Sequence, residues 1–226
     1  MLEDRSCLES YFPIASFIAS IIGSKCEVVI HDISNPERSI IFIENGYISG
    51  RKVGDSSTDL VLKLLKDESY REQPFIANYK ARGSQGQVFR SATYYIKNSS
   101  SELVGMMCIN IDVTHMEVAA EWIQNILQGG STLPPVPLIP QQQEVVEKQT
   151  EEYLQGNVDD LLQHMIDSVL GKINVPAERL SSKEKIELVK VLNEQGVFLL
   201  KGGVSQVAKT LMISEPTVYR YLQKIK

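Results

Sequence analysis

Thr217, Tyr219, Arg220, Gln223 and Lys224 crowd into one short stretch near the C-terminus, with Ser214 and Glu215 just ahead of them. Short hydroxyls, an amide, a phenol and two cations are the side chains that contact phosphates and base edges, so these seven form a candidate DNA-binding set. Their use depends on the elements that hold them. In VSQVAKTLMISEPTVYRYLQKI, residues Val204 to Ile225, the positions Val207, Leu211, Ile213, Val218 and Tyr221 are apolar or aromatic at helical spacing. Ala208 lets two helices approach closely. Met212-Ile213-Ser214 leaves room only for a tight turn, and Pro216 falls in the first turn of the last helix, where a missing N–H costs little. Ahead of this pair, Ser181-x-x-Glu184 is a capping box, and Ile186, Val189 and Leu192 share one face of the helix it opens. Three short helices with a sharp final turn make a helix-turn-helix. A plain three-helix bundle has the same spacing, and charge favours the first reading. Residues 181–226 carry eight Lys or Arg against four Asp or Glu, a balance of +4, whereas the whole chain of 226 residues has a net charge of −5.

A second set of chemically capable residues lies in extended segments of the N-terminal half. His31, Asn45, Arg51, Ser91, Thr93 and Asn110 are the candidate ligand-binding residues, with Phe42, Tyr95 and Met106 as an apolar wall. Arg51 stands out because its planar fork suits a carboxylate, from the protein or from a ligand. Strand alternation in GMMCINIDV places Met106, Cys108, Asn110 and Asp112 on one side and Gly105, Met107, Ile109 and Ile111 on the other. Asn45-Gly46 reads as a turn, which is sufficient reason for that pair. No catalytic residues are expected. His31 and Asp32 are neighbours on a strand and point to opposite faces, so they cannot form a dyad. Cys108 sits in an apolar strand as a small buried thiol. His31, His115 and His164 lack metal-ligand spacing, and no glycine-rich loop marks a phosphate site, so neither metal nor cofactor is expected.

The elements between these sets read as follows. The run Tyr11 to Ile22 has Ile14, Phe17, Ile18, Ile21 and Ile22 at helical spacing and is too short to span a bilayer. It is expected to be an amphipathic helix, neither signal peptide nor anchor. CEVVIHDI, SIIFIENGYI, PFIANYKARG, QVFRSATYYIKN and LVGMMCINIDV read as strands, with the helix TDLVLKLLKDE inserted after the second. That makes an α+β domain with five antiparallel strands. His115 to Gln128 reads as a helix leading out, and STLPPVPLIPQQQ has four prolines that favour an extended linker. The domains expected are a sensor at 1–128, a Pro/Gln-rich linker at 129–143 and a helical DNA-binding part at 144–226. The apolar stripe from Val158 to Leu170 belongs to a core helix or, alternatively, to a dimer seam. Three scattered cysteines fit reduced thiols in a cytoplasmic protein.

CEVVIHDI, ENGYISGRKVGD, FRSATYYI and GMMCINIDV resemble the YheO-like PAS domain of bacterial transcriptional regulators. EKIELVKVLNEQGVFLLKGGVSQVAKTLMISEPTVYRYL resembles the DauR-like helix-turn-helix that accompanies it. Tyr47 departs from an NGH-type motif, and Met212 stands where many such turns have Gly. The resemblance implies a PAS fold with helices on one side of its sheet, transcription control, and repression as its usual sign. The partners expected are double-stranded operator DNA, a small effector such as an amino acid or related metabolite, and a second copy in a homodimer, with no membrane. An adaptor that docks proteins through its PAS sheet and never touches DNA is the alternative.

Overall fold

The computed structural model describes residues 2–127, 151–154, 156–171 and 179–225. Two helices come first, α1 (Leu2–Glu9) and α2 (Phe12–Ile22), followed by strands β1 (Cys26–Asp32) and β2 (Ile40–Glu44). Helix α3 (Asp59–Asp67) separates these from β3 (Phe75–Gly83), β4 (Val88–Lys97) and β5 (Leu103–Asp112). Helix α4 (Thr114–Leu127) leads out, and β6 (Glu151–Leu154) returns to the sheet. The C-terminal part holds α5 (Val158–Leu170), α6 (Ser182–Glu194), α7 (Gly203–Thr210) and α8 (Glu215–Lys224).

The strands form one sheet in the order β2-β1-β5-β4-β3-β6. Five strands pair antiparallel, as the segments and their short turns require. The sixth corrects the expected count: β6 pairs parallel with β3, Glu152 opposite Ala81. A parallel neighbour needs a long crossover, and β3 and β6 are far enough apart in the chain to allow one. The strand therefore comes from the segment 144–226 that the sequence assigns to the helical part.

Helices cover both faces of the sheet, another departure from expectation. On one face Cys26, Val28, Ile30, Ile96 and Met107 pack beneath Leu8 of α1 and Ala15 and Ala19 of α2. Gly105 makes this possible, because a Cβ there would lie 2.3 Å from Leu8 Cδ2 and 2.4 Å from the His31 carbonyl oxygen. The small side of α2 is the one buried; Ile14, Phe17, Ile21 and Ile22 are exposed. On the opposite face Val29, Phe89, Tyr95, Met106 and Cys108 pack with Leu60, Val61 and Leu64 of α3. With both faces covered, β1 is buried from Cys26 to His31.

The C-terminal helices have their own core, built from Leu161, Leu162, Met165, Ile166 and Val169 of α5 with Leu188, Val189, Leu192, Val207, Leu211, Val218 and Tyr221. The α5 stripe is thus an internal core face, and the dimer-seam reading of it is set aside. Leu62 of α3 is fully buried in this same core. Its carbonyl oxygen would lie 2.9 Å from a Cβ on Gly196, whose φ of +84° already favours glycine. The backbone N–H of Lys201 also donates to Glu37 Oε1 at 2.7 Å. Sheet domain and helical domain are therefore in direct contact through α3.

Candidate functional sites

The helix-turn-helix is closed by a specific helix stop. The Ile213 N–H donates to the Ala208 carbonyl at 3.0 Å and the Met212 N–H to Lys209 at 3.3 Å, the paired bonds of a Schellman motif. Met212 occupies the left-handed position with φ +52°, which explains why a glycine is common there. Lys185 Nζ donates to the Leu211 carbonyl at 2.8 Å, occupying another helix-end acceptor. Helix α8 then buries Val218 and Tyr221 and turns its other side outward.

Tyr219, Arg220, Gln223 and Lys224 are exposed on that outward side and Thr217 is half-buried beside them. Arg220 lies over the Tyr221 ring with its guanidinium carbon 5.8 Å from the centroid. Ser214 and Glu215, also exposed, are engaged within the motif. The Ser214 and Thr217 hydroxyls lie 2.9 Å apart, and Glu215 accepts a hydrogen bond from Ser205 of α7. Glu215 thus ties the two helices together, a role its sequence position did not reveal.

The second site lies on the α3 side of the sheet. Register places Glu27, Asn110, Ser91 and Tyr79 in one row across β1, β5, β4 and β3, with His31, Met106 and Tyr95 in a parallel row. Asn110 Nδ2 donates to Glu27 Oε1 at 2.9 Å and Ser91 donates to Asn110 Oδ1 at 2.8 Å. Arg51 forms a buried ion pair with Glu27, which also accepts from the Ser49 hydroxyl. Thr93 lies 2.8 Å from the Tyr79 hydroxyl and 3.3 Å from Cys108 Sγ. From β6, Glu152 accepts the Thr58 hydroxyl at 2.5 Å. His31 Nδ1 and the Ser39 hydroxyl are 2.8 Å apart.

Of the six ligand candidates, His31, Arg51, Ser91, Thr93 and Asn110 converge on this interior. Asn45 does not: it has φ +55° and donates to the Cys26 carbonyl at 2.7 Å, as a turn residue would. Met106 and Tyr95 face inward, whereas Phe42 stacks on Phe12 at 4.6 Å on the opposite face. Sequence reasoning missed Glu27, Ser49, Thr58, Tyr79 and Glu152. The alternation rule could have found Glu27, which shares a side with Val29 and His31.

Electrostatics divide these groups. Burial, followed by the Arg51 charge, pushes His31 down to about 3, so the imidazole is neutral. Burial opposes the Arg51 charge, but Glu27 and Glu152 outweigh it and the guanidinium stays cationic. Burial raises Glu152 above the ordinary carboxylate value, against the hydrogen bond from Thr58 and the pull of Arg51. Burial also pushes the Cys108 thiol up to about 12, which removes it as a nucleophile. Among the described residues no cluster of His, Cys, Asp or Glu could hold a metal, and no helix is long and apolar enough to cross a membrane.

Residues 2–128 match the YheO-like PAS domain family, and residues 161–223 match a helix-turn-helix (HTH) domain. The chain belongs to the YheO-like PAS domain family. It is 28% identical over 225 residues to YheO of Escherichia coli strain K12, covering 99% of this chain and 86% of that protein. It is 27% identical over 219 residues to the transcriptional regulator DauR of Pseudomonas aeruginosa, covering 97% of this chain and 94% of that protein. Among solved structures, the dark structure of the blue-light photoreceptor Aureochrome1 LOV aligns with a TM-score of 0.33 and 14% identity, over 52% of this chain and 94% of that one. The PAS match thus covers the five antiparallel strands and α1 to α4 but leaves out β6, and the helix-turn-helix match runs from within α5 into α8.

Proposed function

We propose that this YheO-like protein is a transcriptional regulator that binds operator DNA through α8 and senses a small metabolite in its PAS domain. The observation that carries this reading is the outward face of α8, where Tyr219, Arg220, Gln223 and Lys224 stand exposed behind a turn fixed at Met212. The relation to DauR supports the regulatory role, and repression is the sign of control we infer. The buried polar row supports a sensor: apolar packing alone has no use for Glu27, Arg51, Asn110 and Glu152 on the inner face of a sheet.

The protein acts as a homodimer in this reading, since two half-sites read together multiply discrimination. Helix α4 supports that assignment. Among the described residues α4 has none buried, and it exposes Met116, Val118, Trp122, Ile123, Ile126 and Leu127. Fluorescence anisotropy with DNA fragments selected from a genomic pool tests the DNA reading. Specific binding that weakens steeply with salt is expected, because phosphate contacts release counterions. Salt-independent binding, or none, would remove it. Light scattering on the free protein and its DNA complex tests the dimer.

A further inference from the structure

Among the described residues, five buried side chains of the sheet domain keep a polar atom without a hydrogen-bond partner: His31 Nε2, Arg51 Nη1, Ser56 Oγ, Ser57 Oγ and Glu152 Oε2. Buried polar groups are almost always paired, so such a group calls for a specific explanation, and five in one domain interior call for a common one. They are also unequal. The charge of Arg51 is already matched by Glu27, and Nη1 remains only as a donor. His31 is neutral. Among the described residues Glu152 is the acid with no cation of its own, since Thr58 and Tyr79 supply it neutral hydroxyls and Arg51 is committed to Glu27. An ionised Glu152 therefore leaves this interior one positive charge short, and a buried unpaired carboxylate is strongly disfavoured.

We propose that Glu152 is the ammonium subsite of the sensor, and that the effector is a small primary amine of the amino-acid class. Its ammonium group pairs with Glu152 Oε2, and an oxygen of its carboxylate or carbonyl accepts from Arg51 Nη1. The buried Ser56 and Ser57 hydroxyls, immediately ahead of Thr58 in the chain, complete the effector's hydrogen bonds. This deepens the sensor reading above and rests on it.

Glu152 also explains how occupancy reaches the helix-turn-helix. It lies on β6, a few residues ahead of α5 in the chain. The Glu152 partner Thr58 is the N-cap of α3, accepting from the Val61 N–H at 3.3 Å. One turn further on, Leu62 is packed in the core of the helical domain. A ligand that pulls on the Glu152 carboxylate competes with Thr58 and so acts on both connections at once. That is a differential contact of the kind a ligand-driven population shift requires.

The test is a thermal-shift screen of the full chain with the twenty proteinogenic amino acids and simple alkyl amines. Each hit is then compared with its N-acetyl derivative and its methyl ester. At least one amine should raise Tm by about 5–10 °C once present at about a hundredfold its Kd. N-acetylation, which removes the ammonium, should abolish the shift, and esterification should retain it. Glu152→Gln should lose the response, with its own fold checked by circular dichroism. The comparison of derivatives needs no variant, so a poorly folding Glu152→Gln leaves the test intact. A screen with no stabilising amine, an N-acetyl derivative that binds as well as its parent, or a folded Glu152→Gln with full response would overturn the proposal. Specific DNA binding that persists in any of those cases leaves the operator reading standing. A thermal response without DNA binding would do the reverse.

Discussion

Glu27 and Arg51 face one another with side chains 0% and 1% exposed, joined across the strand β1 and the loop after β2. Two further donors, Ser49 and Asn110, satisfy the rest of the Glu27 carboxylate. A pair so enclosed costs much to break and less to replace as a unit.

Arg51→Met should therefore destabilise the protein by about 3–5 kcal/mol, because Glu27 is left buried and unpaired. The double variant Glu27→Gln with Arg51→Met should lose much less than the sum of the two single changes. Urea denaturation of the four proteins measures the coupling. Additive losses would mean that the two residues act independently.

Asp59 predicts a pH dependence. Burial pushes its carboxyl up to about 7, against hydrogen bonds from the N–H groups of Tyr153 and Leu60. An acid whose pKa is raised on folding binds more protons folded than unfolded, so its contribution is full below about 4 and is lost as pH rises toward 7. Asp59→Asn keeps an acceptor for Tyr153 and removes the titration. The variant should gain on the wild type in urea midpoint between pH 6 and pH 8. An equal difference at both values would contradict the assignment.

Met212 pays a conformational penalty of about 1–2 kcal/mol for its left-handed backbone. Glycine would relieve it while giving back part of the gain as unfolded-chain entropy. Met212→Gly should leave stability unchanged or raise it by up to about 1 kcal/mol, and Met212→Val, β-branched at positive φ, should lower it by more than about 1 kcal/mol. Denaturation midpoints decide between these signs.

Arg220→Ala should weaken operator binding by about 1–3 kcal/mol at matched salt if Arg220 reads a base, and should barely change thermal stability. Its guanidinium is exposed over the buried Tyr221 ring, and losing that contact should cost no more than about 0.5–1 kcal/mol. Undiminished affinity for the operator would move the reading face elsewhere on α8.

Where a residue's role depends on a regular element, it was legible in the sequence. Period-2 alternation placed Met106, Cys108 and Asn110 on one face, and the helical stripe placed Val207, Leu211, Val218 and Tyr221 inside. The failures have physical causes. Helix α2 is anchored by Ala15 and Ala19, because the sheet and α1 demand close approach, so its largest apolar groups point outward. Strand β6 is four residues long and opens with two glutamates, and its partner β3 lies far back in the chain. No local pattern announces such a strand, and with it went Glu152. The ion partner of Arg51 was missed for a similar reason: Glu27 sits in an apolar strand, where only the pairing across the sheet gives it a purpose.

Strand β6 also governs what happens to the sheet margin. A long open margin offers unpaired N–H and C=O groups to any passing strand, and natural proteins blunt it with short or charged edges. Here the margins are β2, of five residues, and β6, of four, and β6 covers the Lys80–Gly83 end of the nine-residue β3. A fragment ending soon after residue 128 would keep every PAS-matched residue yet bare Lys80–Gly83 as well, leaving that edge of β3 open along its full length. Such a fragment should self-associate through intermolecular strand pairing more readily than the intact chain.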